Sequence, residues 1–281
     1  MTEVRKITEE SIAAFERLLF AEELASGSVA QYVRAVRRLA AFLDGRDASK
    51  ERILAWKEAL VAVHAPVTVN AMVAAANRFF AARGWDDSRV KALRIQRRVF
   101  RSAERELTKD EYVKLVETAA ARGQERLALV TETICATGIR VSELRYVTVA
   151  ALQRGRADVA LKGKVRTILL PGRLCRKLLK YAKRKKIASG EVFLTRSGKS
   201  LSRKQIWAEL KTLCKRAGVA AGKVFPHNLR HLFARTFYKA CRDIVKLADV
   251  LGHSNIEVTR IYLISTGTEH ADSIARLGLL L

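Results

Sequence analysis

The apolar residues of this chain recur almost throughout at the spacing of one helical face, and they abandon that spacing at one place. Residues 157–170 carry Val159 and Leu161, then Lys162-Gly163-Lys164, then Val165, Ile168 and Leu169. A short alternating run around a glycine turn predicts two strands of a hairpin, and a period near 3.6 predicts helices elsewhere. The expected fold is therefore mainly α with a small antiparallel β-sheet. Val29, Tyr32, Val33, Val36, Leu39, Ala40 and Leu43 make one stripe, with Ser28 placed to cap its helix and Gly45 to end it. Ser49 is placed to cap a helix carrying Ile53, Leu54, Trp56 and Leu60, and Thr68 to Arg83 makes another that Gly84 stops. Later helices are expected near 174–184, 202–217, 227–240, 242–251, 255–264 and 268–278. Glu191 to Thr195 reads as a third strand.

The chain changes composition once. Residues 91–106 are polar and basic and read as a linker, joining a helical domain over 1–90 to a second domain over 107–281. Thr108-x-x-Glu111 ahead of Tyr112, Leu115 and Val116 is a capping box that opens the second domain. Two domains suit 281 residues, at roughly 100–200 residues each. Hydrophobic residues at 49% and only 3 prolines exclude a disordered chain. No apolar run reaches the ~20 residues of a membrane span, and the first ten residues lack a signal peptide's apolar core, so neither membrane insertion nor secretion is expected. Cys135, Cys175, Cys214 and Cys241 stand at no metal-ligand spacing and in apolar contexts, and read as reduced core thiols of an intracellular protein.

The chain holds 53 Lys+Arg against 28 Asp+Glu, a formal net charge of +25. An excess this large, without a long basic tail, is the electrostatic footprint of a folded nucleic-acid binder. Residues 101–281 contribute 36 of the 53 basic side chains, so the second domain carries most of the field. In the first domain Arg34, Arg37 and Arg38 lie largely off the apolar stripe and are candidates for DNA contact, with Lys164 and Arg166 of the hairpin as further candidates.

Three segments carry chemistry: Ala136-Thr-Gly-Ile-Arg140-Val-Ser-Glu143-Leu144, Pro226-His227-Asn-Leu-Arg230-His231, and Leu251-Gly252-His253 through Tyr262. Each has an ordinary structural explanation alone. In this order, with Tyr262 nine positions after His253, they resemble the tyrosine recombinase, or phage integrase, family. The likeness covers nearly the whole chain: specific motifs in the catalytic part, and an architectural likeness to a helical core-binding domain before it.

That resemblance implies a role for each motif residue. Tyr262 is the nucleophile, attacking a scissile phosphodiester to leave a 3′-phosphotyrosyl enzyme and a free 5′-hydroxyl. The covalent link conserves the bond energy, so rejoining needs no ATP. Arg140 and Arg230 hold the non-bridging oxygens, where two permanently charged forks stabilise the charge gained in the transition state. His253 donates to the phosphate, and His227 accepts the tyrosine proton or contacts the phosphate. Lys162 protonates the departing 5′ oxygen. The hairpin, Lys162-Gly163-Lys164-Val165-Arg166, is one residue shorter than the family's usual pattern, which keeps Lys164 as a competitor for that role. Glu143 supports the site without touching DNA. No cofactor or metal is expected. His64 and His270 read as ordinary loop or surface residues. His231, directly after Arg230, reads as structural and off the face shared by His227 and Arg230.

The resemblance further implies a site-specific recombinase acting as a homotetramer on double-stranded DNA with an inverted-repeat core, in a cytoplasmic, bacterial or phage-like setting. There is room for an accessory bending or directionality factor. The segment from Ser265 onward is expected to form a small helix that packs on a neighbouring protomer or on its own domain. Integration or excision of a mobile element is favoured over Xer-like dimer resolution, because the first domain is only modestly basic and the hairpin departs from the pattern. A topoisomerase of type IB, relaxing one duplex, shares the chemistry. A DNA-binding protein without catalysis would have no use for a tyrosine beside two arginines and two histidines. On any of these readings, DNA affinity falls steeply as salt rises from low to moderate ionic strength, because phosphate contacts release counterions. Fluorescence anisotropy across a salt series measures that slope, and a flat response would remove the electrostatic basis of binding.

Overall fold

The structure, a computed structural model, describes residues 5–95, 103–161 and 164–263. It separates into two compact units, Met1–Arg97 and Arg98–Leu281.

The first unit is built from α1 (Glu9–Ala21), α2 (Ser26–Leu43), α3 (Lys50–Val63) and α4 (Pro66–Ala82). Thr8 and Ser11 cap α1 reciprocally, each side chain accepting the other's backbone N–H. Apolar stripes close over a core that includes Phe15, Val36, Leu39, Trp56 and Phe79. Phe79 meets Phe15 and Trp85 edge to face, at centroid separations of 5.4 and 5.9 Å. Two helices begin earlier than their sequence signals. Ala25 is the N-cap of α2, and Ser28 lies within the first turn, because the chain reverses at Glu23 (φ 58°) and re-enters helix at once. Pro66 starts α4, its fixed φ suiting the first helical position. Asp44, one residue before Gly45, takes the left-handed cap of α2.

The stretch read as a linker is anchored at both ends. Asn77 of α4 exchanges two hydrogen bonds with the backbone of Val90, and Asn70 does the same with Leu93. At the far end Glu106 is buried and ion-paired to Arg235, and Leu107 belongs to the core of the second unit.

The second unit begins with α5 (Lys109–Ala121), whose capping box of Thr108 and Glu111 is formed in both directions. Then come α6 (Glu125–Thr137), a 3₁₀ turn over Val141–Tyr146, α7 (Val149–Arg154), β1 (Arg156–Leu161) and β2 (Lys164–Leu169). The chain continues through α8 (Gly172–Arg184), α9 (Arg203–Ala217), α10 (Pro226–Cys241), α11 (Ile244–Leu251), α12 (Ile256–Arg260) and a 3₁₀ turn over Ile261–Leu263. Helix α6 is the axis, packing against α5, α8, α9 and α10. Thr131, Thr133 and Thr137 are buried along it at no polar cost, each hydroxyl donating to the carbonyl four residues back.

β1 and β2 pair antiparallel from Arg156↔Leu169 to Leu161↔Lys164. Ala157, Val159 and Ile168 face the core, while Val165 and Leu169 are exposed. The segment from Glu191 does not extend this sheet. It makes isolated bridges, Thr148↔Glu191 and Leu194↔Ser200, because Val149 N–H donates to Gly190 O and Val192 N–H to Val147 O, away from the hairpin. Of the cysteines, Cys241 is exposed at the end of α10 rather than in the core. Residue 270, the helix expected over 268–278 and the tail from Ser265 lie outside the described residues. Among the described residues no helix is long and apolar enough to cross a membrane.

Gly138 ends α6 with φ +63°, and a Cβ there would lie 2.5 Å from Cδ1 of Phe233 and 2.9 Å from Cδ2 of Leu251. Gly138→Ala is expected to cost about 2 kcal/mol or more, combining backbone strain with displacement of α10 and α11 side chains. Urea unfolding of the variant beside the wild type checks this.

Candidate active site

The end of α6 delivers the first motif. After the left-handed turn at Gly138, Ile139 is fully buried and anchors the chain, and Arg140 follows as the N-cap of the Val141–Tyr146 turn with its side chain part-exposed. Glu143 closes the turn. Its carboxylate accepts from Arg140 N–H at 2.8 Å and from Arg140 Nη1 at 2.9 Å, and Leu144 is buried behind it. The two motif residues three apart thus form a single hydrogen-bonded unit.

Glu143 also reaches the hairpin. Its Oε2 accepts from Nη2 of Arg166 at 2.5 Å, and Arg166 Nη1 donates to Val250 O at 3.4 Å. Burial alone would raise the Glu143 carboxyl, but the Arg140 backbone N–H and the Arg166 and Arg140 guanidiniums more than reverse this, and it is held below the usual range. Arg166, whose side chain is 14% exposed, is therefore an internal ion-pair partner rather than a solvent-facing side chain. Strand alternation accounts for the difference: Arg166 shares the inward face of β2 with Ile168.

Phe225 and Pro226 start α10 and set the second motif. Arg230 is buried, with Nη1 donating to Gly138 O and Nη2 to Leu251 O at 2.8 Å. Nη2 also lies 3.0 Å from Nε2 of His253. Burial and then the charge of Arg140 lower the Arg230 pKa to about 10, with the neighbouring Tyr262 opposing them, so the guanidinium stays charged at neutral pH. Its Nε–H is buried with no acceptor among the described residues.

The third motif follows α11. Gly252 turns left-handed (φ +62°), and His253 N–H bonds back to Ala248 O. Because Arg230 can only donate, Nε2 of His253 accepts, and Nδ1–H is left to donate to Thr259 Oγ1 at 2.9 Å. Burial first, then the charges of Arg230, Arg140 and Arg166, bring the His253 pKa down to about 4. Asn255 caps α12, which carries the chain to Tyr262.

Tyr262 is 5% exposed and packs with Ala234, Leu247 and Leu251. Its ring stacks on His253 at 5.7 Å with 19° between planes, and lies 5.7 Å from the ring of His227. The ring centred nearest to it among these three histidines is His231, at 4.2 Å. His231 is buried and meets His227 edge to face at 4.8 Å, so it belongs to the site and not to a separate structural face. Helical geometry explains this. Positions four apart differ by about 40° and positions three apart by about 60°, so His231 sits at least as squarely over His227 as Arg230 does. That spacing is present in the sequence.

Arg140, Glu143, His227, Arg230, His253 and Tyr262 thus share one site, joined by His231 and Arg166. Lys162 lies outside the described residues, and of Lys164 only the strand position is described. Arg34, Arg37 and Arg38 lie on α2 in the first unit, with Arg37 paired to Glu9. His64 is the C-cap of α3. No group of three or more His, Cys, Asp or Glu side chains gathers as a metal site among the described residues.

Residues 105–268 match the profile of the phage integrase family. The chain belongs to that family. Tyrosine recombinases of this family cut and rejoin DNA. The chain is 28% identical to the tyrosine recombinase XerA of Pyrococcus furiosus, over 76% of this chain and 75% of that protein. To the tyrosine recombinase XerC of Roseiflexus castenholzii it is 30% identical, over 90% of this chain and 88% of that protein. A solved lambda integrase dimer bound to a core site has the same fold, with a TM-score of 0.72 at 18% identity over 91% of this chain and 94% of that one.

The tyrosine recombinase site should hold His253 neutral in the free protein. Nitrogen-detected NMR of the imidazoles is expected to show His253 as the Nδ1–H tautomer, titrating near pH 4. Its folded pKa lies below the ordinary 6.5, so its contribution to stability is present above about 6.5 and is lost as pH falls from there towards 4.

Proposed function

We propose that this chain is a site-specific DNA recombinase in which Tyr262 attacks the scissile phosphate. The observation that carries the reading is the meeting of Tyr262, Arg230 and His253: a tyrosine ring stacked on one histidine beside a buried guanidinium.

The Tyr262 oxygen forms a bond to phosphorus as the bond to the 5′ oxygen breaks. The phenolic proton passes to a nearby base, for which His227 is the assigned acceptor, and the 5′ oxygen takes a proton from Lys162, with Lys164 as the alternative. Rejoining reverses each transfer, so no energy source is consumed. Arg140 and Arg230 stabilise the charge that gathers on the non-bridging oxygens. The Nε–H of Arg230, which has no acceptor among the described residues, and the part-exposed guanidinium of Arg140, one arm of which is held by Glu143, are the donors offered to the phosphate. Burial first, and then the charges of three arginines, keep His253 neutral, and a bound phosphate offsets those charges. It thereby raises that histidine's pKa and lets Nε2 donate instead of accept. Glu143 keeps the Arg140 turn in place, and Arg34, Arg37 and Arg38 of the first unit are taken as DNA contacts.

The partner is double-stranded DNA with an inverted-repeat core, engaged by a homotetramer for strand exchange. Integration or excision of a mobile element requires this chemistry. Dimer resolution is a second reading, favoured by the curated relatives, which are named XerA and XerC and match over most of their length.

Tyr262→Phe is expected to keep DNA binding and to form no covalent adduct with nicked, randomised duplexes, whereas the wild type forms one. An adduct in the variant would reassign the nucleophile. Sequencing the trapped DNA separates the readings. An inverted-repeat core supports recombination, and its place in a genome, at mobile-element ends or at a single chromosomal locus, distinguishes the two roles.

A further inference from the structure

We propose that His231 is a positioning residue for the nucleophile: packed from α10 against the Tyr262 ring, it sets the plane of the phenol and so the direction from which its oxygen meets phosphorus. This rests on the reading that Tyr262 is the nucleophile.

Of the three imidazoles around Tyr262, His231 lies nearest. Its ring centre is 4.2 Å from that of Tyr262 with 48° between planes, against 5.7 Å for both His227 and His253. The two histidines of α10 differ in exposure. His227 is exposed in the first turn of the helix, where it can meet substrate and exchange protons. His231, one turn further on, is 4% exposed. A side chain so buried acts on the substrate through its neighbours, and its nearest ring neighbour is the nucleophile.

Tyr262 depends on such a neighbour. It arrives on a 3₁₀ turn that follows α12, a helix of 5 residues. Elements this short are held by what they pack on rather than by their own hydrogen bonds, and this turn packs on α10. The hydroxyl end of the ring interacts with the Arg230 guanidinium, which places the oxygen beside a phosphate-binding side chain. A ring held at its Cβ and at its oxygen still rotates about the axis that joins them. That rotation leaves the oxygen in place but turns its lone pairs, and in-line attack requires them to point one way. Flat neighbours remove the rotation.

His231 is itself held. It shares a helical stripe with Asn228, three positions before it, and Arg235, four after it. Asn228 Nδ2 donates to Arg105 O at 2.9 Å and to Lys223 O at 2.6 Å, and Arg235 pairs with Glu106. These bonds clamp that side of α10 to the segment before α5. The cleft between them, lined by Glu106, Leu107, Asn228, His231, Leu232 and Arg235, is too narrow for a water molecule. The imidazole therefore has no room to swing towards that segment and away from the ring.

The test asks whether His231 matters only when a tyrosine attacks. On nicked duplexes at saturating concentration, His231→Leu is expected to slow adduct formation roughly tenfold to a hundredfold, with DNA affinity within about twofold of wild type. In a Tyr262→Phe background, added hydrogen peroxide supplies the nucleophile: its oxygen bonds to phosphorus as the 5′ oxygen leaves and takes up a proton. Adding His231→Leu to that background is expected to change peroxide cleavage by less than about twofold, because no phenol remains to orient. An equal loss in both backgrounds places the effect in the fold or the phosphate site and overturns the proposal. Normal adduct formation in His231→Leu overturns it too. A second measurement uses no cleavage and decides the matter if peroxide cuts in neither background. Isotope-labelled tyrosine gives ring signals by NMR, and that of Tyr262 is identified by its loss in Tyr262→Phe. In His231→Leu it is expected to shift and broaden while the other tyrosines stay in place; an unchanged Tyr262 signal overturns the proposal. Should the leucine variant fail to fold, His231→Asn is read in the same way. If the wild type forms no adduct that depends on Tyr262, the nucleophile reading falls and the proposal with it. If that adduct forms and His231→Leu matches it, only the role of His231 falls.

Discussion

The site depends on one carboxylate. Glu143 is buried among guanidiniums, in a unit whose sequence carries most of a large positive excess. Arg140 and Arg166 would repel each other and drift apart without it. With it, each has a charge-assisted hydrogen bond to a common acceptor. The same carboxylate caps the backbone of Arg140. Electrostatics and chain geometry are thus satisfied by one group. Its two oxygens together accept three hydrogen bonds, which is how burial of the charge is offset.

From that point the site grows by contact. Arg166 leans on Gly252, and the turn at Gly252 presents His253. His253 is pinned on one ring nitrogen by Arg230 and on the other by Thr259. Arg230 in turn ties the end of α6 to the end of α11 through Gly138 O and Leu251 O. The free protein therefore commits both Nη groups of Arg230 to backbone carbonyls and a histidine. An incoming phosphate competes with acceptors already in place. Binding and reorganisation of the Arg230–His253 pair are coupled, because His253 is depressed first by burial and then by the arginine charges, and the anion offsets those charges.

Tyr262 sits differently from the arginines. Its ring is part of a small apolar cluster with Ala234, Leu247 and Leu251, and it meets three imidazoles. The nucleophile is positioned by ring packing, with α10 supplying His227 and His231 from one side and the α11–α12 turn supplying His253. Packing of this kind constrains the ring plane more firmly than a single hydrogen bond to the hydroxyl would.

Much of the architecture is legible in order along the chain. Helical periodicity, the period change at 157–170, the Thr108–Glu111 capping box, and the glycines at 138 and 252 are local features, and local sterics decide them. The motif spacing also marks Arg140, Glu143, Arg230, His253 and Tyr262 as residues of one chemistry. Contact is what it leaves undecided. His231 reads as structural from its place beside Arg230, although its distance from His227 is one helical turn. Arg166 reads as a DNA contact because charge alone does not reveal which strand face a side chain occupies. The start of α2 differs from its sequence signal because a reversal at Glu23 makes a side-chain cap unnecessary. The segment after Glu191 pairs with the chain near Val147 and Val149 instead of with the hairpin. Sequence by itself determined which elements form and which residue types are available for the reaction, because those follow from neighbours a few positions away. Tertiary structure alone decided that Arg166 reaches Glu143 and Val250, that Arg230 reaches Leu251, and that His231 lies beside Tyr262. Those partners are set by how separate elements pack in space, and spacing along the chain does not encode that packing.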